Sequence, residues 1–116
     1  MTYIKNNKNN ESRLLYEIMR ELGKYGAVFR TNSGSIKLPD GRRFNGLPKG
    51  FSDVLAILPG GRAAFIEVKA AKGKVSKEQI TFLEKMRAQG ALAGVACTVP
   101  QALAICGLDD KVRGDI

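Results

Sequence analysis

Asp53, Glu67 and Lys69 are the residues of this sequence whose types and spacing could do chemistry together. The stretch Phe65-Ile66-Glu67-Val68-Lys69 puts a carboxylate and an ammonium two positions apart, so on an extended backbone both side chains share one face. Charged groups at the end of so apolar a run are costly to bury unless something compensates them. Asp53 lies 14 positions before Glu67, with Pro59-Gly60-Gly61 midway. A three-residue turn, pairing Leu58 with Arg62, would set Asp53 opposite Glu67 on the same face, whereas a two-residue turn would send it to the other face. The same-face arrangement gathers two carboxylates and the main-chain carbonyl of Val68 around one position. Hard oxygen donors of this kind suit Mg²⁺ or Mn²⁺, which keep several waters and can bridge to a phosphate oxygen. Such an ion would polarise a phosphodiester and acidify a bound water, with Lys69 orienting that water or neutralising the charge built up at phosphorus. The plainer alternative is a same-face ion pair at a strand end.

Composition narrows the choice. The 116 residues include two cysteines, no tryptophan and no histidine. Without imidazole there is no Ser-His-Asp or Cys-His nucleophile, no His-ligated metal and no nuclease that uses histidine as its base. Cys97 and Cys106 lack metal-ligand spacing and are expected to be buried reduced thiols. Catalysis would rest on carboxylates, lysine and a hard metal, with no organic cofactor. The net charge of +8 is uneven: from Lys24 to Lys77 there are eleven basic residues and three acids, so the whole excess lies in the middle of the chain. That is the pattern of a polyanion-binding face, although solvated surface lysines would give the same count. Arg30, Lys37, Arg42, Arg43, Lys49, Lys72 and Lys74 are the candidates for phosphate contact, while Phe44 and Phe51 are expected to pack rather than to stack on bases. No apolar run approaches the ~20 residues of a membrane span, and Met1 to Asn10 lacks an apolar signal region. A cytoplasmic chain with no membrane partner is expected.

These residues need elements to bring them together. Asn9 or Asn10 can cap a first helix whose Leu14, Leu15, Ile18, Met19 and Leu22 recur at three- and four-residue spacing, with Gly23 as its stop. Ala27 to Asn32 suits a strand. Ser33 to Gly50 reads as a mobile basic loop in which Pro39-Asp40-Gly41 could tip a hairpin. Phe51 to Leu58 and Arg62 to Lys69 form the next two strands, an antiparallel hairpin apolar enough to be covered on both faces. Ser76 and Gln79 make a capping box that opens a second helix running to Gly90. Leu92 to Thr98 is a fourth strand, and Pro100 opens a short third helix ending before Gly107. The expected organisation is one domain over 11–107, a flexible N-terminus over 1–10 and a C-terminal tail over 108–116. The order α-β-β-β-α-β-α, with the second helix as a crossover, predicts an α/β fold: a mixed sheet flanked by helices.

Asp53 followed by Glu67-Val68-Lys69 resembles the D…(D/E)xK signature of the PD-(D/E)XK nuclease superfamily. Glu11 at the head of the first helix, the approach Gly46-Leu47-Pro48-Lys49-Gly50-Phe51-Ser52-Asp53 and Ser76-x-x-Gln79 make the stretch from about Glu11 to Cys106 similar to the VRR-NUC family within it. One departure is Ser52, which stands where the superfamily's name has a proline. The resemblance implies a restriction-endonuclease-like core, with Asp53, Glu67 and the Val68 carbonyl as metal ligands and Lys69 as the catalytic lysine. It also implies that Glu11 reaches the metal directly or through water, and that Gln79 positions Lys69 or the nucleophile. On the residues alone, Glu11 is as well explained as an acid near a helix N-terminus, and Gln79 as a capping-box partner. The expected activity is Mg²⁺- or Mn²⁺-dependent DNA endonuclease. Several phosphate contacts without a base-reading helix favour selectivity for DNA structure, as in branched DNA, over sequence specificity. Resemblance to stand-alone family members implies a homodimer that cuts four-way junctions. The rival reading is a non-catalytic nucleic-acid-binding module with a vestigial acidic cluster.

Overall fold

The computed structural model describes residues 7–31 and 35–108. Helix α1 (Asn7–Leu22) buries Leu15, Ile18 and Leu22, the stripe its apolar spacing predicts. It starts ahead of both Asn9 and Asn10, so neither is its cap, and Glu11 sits in its second turn rather than at its head. Once nucleated, a helix extends through polar residues at little cost, and a run of asparagines offers no single breaker. Of the expected flexible N-terminus, residues 7–10 are helical and 1–6 lie outside the described residues, as do residues 109–116 of the expected tail.

Strands β1 (Ala27–Arg30), β4 (Val54–Leu58), β5 (Arg62–Val68) and β6 (Leu92–Ala96) form one mixed sheet in the order β1-β4-β5-β6. β1 runs antiparallel to β4 and β4 to β5, while β5 and β6 are parallel, joined across helix α2 (Lys77–Ala88) as a βαβ unit. Helix α3 (Val99–Ile105) follows, capped by Thr98. The stretch expected to be a loop holds a separate antiparallel ribbon, β2 (Ser35–Lys37) with β3 (Arg43–Asn45). Its turn is fastened by the Asp40 carboxylate, which accepts from the Arg42 N–H and Nε. The predicted element order is therefore recovered with a hairpin inserted between its first two strands.

The turn between β4 and β5 has three residues, and Leu58 faces Arg62 while Val54 faces Ile66. The Leu58 carbonyl accepts the Gly61 N–H, Pro59 supplies the fixed φ of the second position, and Gly60 takes φ +85 at the third, where a side chain would be strained.

One face of the sheet carries the core: Val54, Ala56, Leu58, Ala64, Ile66, Val68 and Ala96 pack against Leu15, Ile18 and Leu22 of α1 and Ala102 and Cys106 around α3. Full burial of each large aliphatic side chain stabilises the fold by roughly 1.5–3 kcal/mol. The other face is covered only in part, because α2 packs over β5 and β6. Ile57 on β4 remains 37% exposed, and Phe29 on neighbouring β1 52%, so the expectation that the β4–β5 hairpin is covered on both faces fails at its β4 side. Of the two free thiols, Cys106 is buried and its pKa is pushed up to about 11 by that burial, but Cys97 is only half-buried. No helix among the described residues is long and apolar enough to cross a membrane.

Candidate active site

The register that pairs Val54 with Ile66 brings the residue before β4 level with Glu67. Asp53 is held there by its own backbone: its carbonyl accepts the Thr31 N–H at 2.9 Å, and the Thr31 hydroxyl donates to the Ser52 carbonyl. Ser52 is fully buried, with its hydroxyl donating to the Val54 carbonyl at 3.1 Å. These ties fasten the stretch just before β4, which begins at Val54 and not at Phe51. They also show what stands in the place of proline: a small polar residue that braces the approach. Asp53 Oδ2 then accepts the Val68 N–H at 2.9 Å.

Glu67 is 1% exposed. Its Oε2 accepts from Gln79 Nε2 at 2.7 Å and lies 3.5 Å from Lys69 Nζ, whereas its Oε1 is buried with no hydrogen-bond partner among the described residues. Gln79 does two jobs at once. Its Oε1 accepts the Ser76 N–H at 2.8 Å and its own N–H donates to Ser76 Oγ at 3.1 Å, completing the capping box. With the amide oxygen so engaged, the amide nitrogen is the end that turns to Glu67. The hydrogen bond therefore goes to the carboxylate, not to Lys69. The Lys69 side chain is 16% exposed and lies against Gly73, where an added Cβ would come within 3.2 Å of its Cδ. Glu11 reaches in from α1, its Oε1 accepting the Ala70 N–H at 3.3 Å. Glu11, Asp53, Glu67, Lys69 and Gln79 thus meet at one end of the sheet, brought there by four separate segments.

Their charges do not balance. Burial pushes the Glu67 carboxyl up to about 7, and the charge of Asp53 adds to the shift against the opposing pull of Lys69. Asp53 is raised as well, chiefly by burial and then by Glu11, against the Val68 amide and Lys69. Leaving one buried carboxylate oxygen unpaired costs at least ~1–3 kcal/mol. A proton or a cation would relieve both effects. Among the described residues no three His, Cys, Asp or Glu side chains cluster closely enough to hold a metal by themselves. Two carboxylates, with a main-chain carbonyl and water completing the shell, fit a hard divalent ion that keeps part of its hydration.

All seven candidate phosphate-contacting residues are exposed. Arg30 faces Val54 in the register and so sits beside the Asp53 approach. Lys49 lies within that approach, and Lys72 and Lys74 lie in the segment after Lys69. Lys37 and Arg43 face each other across the ribbon. Arg42 differs from the rest, because its Nε is 2.7 Å from Asp40 Oδ2 and its charge is partly committed to the turn. Phe51 packs as expected, its ring centroid 4.4 Å from Phe82 and 6.0 Å from Phe65. Phe44 does not: it is 57% exposed on the ribbon, opposite Ile36. Thr31 and Ser52 are the supporting residues that the motif does not announce. Ser52 adjoins the key aspartate, but Thr31 acts across a 21-residue separation that no local pattern reveals.

The sequence profile of the VRR-NUC domain family matches residues 10–100. A solved structure described as a VRR_NUC domain superposes with a TM-score of 0.60 and 25% identity, covering 84% of this chain and 94% of the other. A search of curated proteins finds no match.

Proposed function

The chain belongs to the VRR-NUC domain family, a nuclease-like family, and on that premise we propose that it is a metal-dependent DNA endonuclease whose active centre is the Asp53–Glu67–Lys69 cluster. The observation that carries the proposal is the buried, unpartnered Oε1 of Glu67 beside a second carboxylate whose pKa is also raised. Asp53, Glu67 and the Val68 carbonyl would hold Mg²⁺ or Mn²⁺, with Glu11 reaching the ion directly or through water. When bound, that ion supplies electrophilic activation of the phosphodiester and an acidified water. Gln79 fixes the Glu67 carboxylate by its amide hydrogen bond. Lys69, held by Glu67, is the group that orients the attacking water or neutralises charge on the phosphate as it builds. Asp53 keeps the β5 end in place through the Val68 amide. With no histidine in the chain, proton movement runs without imidazole.

The substrate we propose is branched DNA, four-way junctions included, bound by exposed cations around one end of the sheet and on the ribbon. Such contacts grip the backbone and carry no base information. A homodimer would supply two such centres, and the exposed Phe29, Ile57, Ile36 and Phe44 offer apolar surface for a second copy. The test is cleavage of duplex, flapped, forked and four-way DNA with and without Mg²⁺, alongside light scattering on and off DNA. Cleavage that persists in Asp53→Ala, in Lys69→Ala or in EDTA overturns the catalytic assignment; DNA binding without any cleavage would favour a binding module. A monomer under every condition removes the paired-cut reading.

A further inference from the structure

Beside the cluster, outside the residues assigned to chemistry, lies a groove of about 520 Å³ between the segment leading to Asp53 and the outer side of α2. Its size falls within the roughly 300–1,000 Å³ typical of small-ligand sites. Pro48, Phe51, Phe82 and Met86 give it an apolar lining, and Lys49, Lys77 and Lys85 stand around it, with Glu78 as the one acid among the described lining residues. The lining is built rather than accidental. Phe51 and Phe82 are locked with Phe65 into a three-ring cluster. Gly50, at φ +92, lies so close to α2 that an added Cβ would be 2.6 Å from the Glu78 carbonyl oxygen, which fastens the 48–51 segment onto the helix.

We propose that this groove takes an unpaired nucleotide of the DNA strand next to the cleaved phosphate, its base against the aromatic lining and its phosphates on the lysines. The inference rests on the reading of DNA as substrate. A base inside a duplex has both faces covered by its neighbours, so only an unpaired or extruded base can enter an aromatic groove. Three ammonium groups against one carboxylate match the phosphates such a nucleotide brings. The position is also right. Phe51 is two residues before Asp53, and Phe82 is three after Gln79, just under one turn along α2, so both walls of the groove adjoin residues of the cluster.

The test compares, in EDTA, the binding of a duplex carrying a three-nucleotide single-stranded gap with that of a continuous duplex of the same length, by fluorescence anisotropy. The wild-type chain is expected to favour gapped DNA about tenfold, consistent with stacking of one base. Phe82→Leu, which keeps apolar volume without an aromatic ring, and Lys85→Glu, at the exposed side, should each cut that preference below about threefold. Phe82→Leu should leave the affinity for continuous duplex unchanged. As the chain has no tryptophan, Phe82→Trp adds a single reporter that gapped DNA should quench. No wild-type preference, a preference undiminished in Phe82→Leu and Lys85→Glu, or an unquenched reporter overturns the proposal and leaves the groove to another occupant such as a peptide. Cleavage in Mg²⁺ on the same DNAs separates the two readings: intact cleavage with no gap preference sinks the groove alone, and a gap preference with no cleavage sinks the nuclease alone.

Discussion

Glu67 is the residue on which folding and chemistry pull in opposite directions. Its carboxyl titrates near 7 in the fold against an ordinary value of 4.5, so the folded state holds the proton more tightly than the unfolded chain. That contribution to stability is fully present below about pH 4.5 and is lost as pH rises towards 7, by something on the order of 3 kcal/mol. Urea melts of the metal-free protein from pH 4.5 to 8 should show it as a slope that Glu67→Gln flattens, and a slope of equal size in both would contradict the assignment. Mg²⁺ should act the other way, raising Tm at pH 8 and hardly at pH 5, because carboxylate ligands must lose their protons to bind it. Asp53→Ala should abolish cleavage while DNA binding in EDTA holds or tightens, since a negative charge facing phosphate is removed. That Asp53 could pair with Glu67 was legible from residue types, on the condition of a three-residue turn that the sequence left open and the register meets. The unpaired Oε1 was not, because it depends on how completely α2 and the strand ends shut out water.

At the scale of elements, the first turn of α2 both caps the helix and grips the site, and two substitutions separate these roles. Ser76→Ala removes the cap and should cost about 1 kcal/mol with cleavage largely retained. Gln79→Ala keeps its own N–H on Ser76 Oγ, loses the reciprocal bond from the Ser76 N–H and also releases Glu67, so cleavage should fall ~10–100-fold, as when a partner that orients a ligand is removed; equal losses in the two variants would mean that only the cap matters. Gly73→Ala presses a methyl against Lys69 and the Ala70 carbonyl, and should lower cleavage more than Tm. The capping box was readable because its chemistry is local, four consecutive residues satisfying one another. The start of α1 was not, since helix ends among several asparagines are nearly degenerate in energy. The ribbon was half-readable. Pro39-Asp40-Gly41 marks a turn, but Ser35–Lys37 and Arg43–Asn45 are too short for alternation to declare a strand, and their pairing is tertiary information.

Across the whole molecule, charge is arranged by topology. The excess of basic residues was countable in the sequence, but the meeting of Arg30 with Asp53 and Lys69 at one end of the sheet was not, because it follows from antiparallel β1, β4 and β5. DNA affinity should fall steeply with salt, and the double substitution Lys37→Ala/Arg43→Ala should reduce the slope of log K against log salt by about 2, near 0.9 per lost phosphate contact. Arg42→Ala should change it less, because Asp40 already shares that charge. An unchanged slope in the double variant would remove the ribbon from the binding face.

Thr31 and Asp53 are bonded directly to each other, and β2 and β3 form a sheet of their own, so the ribbon lies on an excursion from the main sheet that returns to the same spot. Exchanging 35–45 for a short Gly-Ser linker should therefore spare the fold, at a chain-closure difference of only ~1 kcal/mol or less, and leave the carboxylates where they are. The ribbon is a cartridge. On the proposed reading, lengthening or exchanging it should change which DNA is bound while the carboxylate cluster stays where it is.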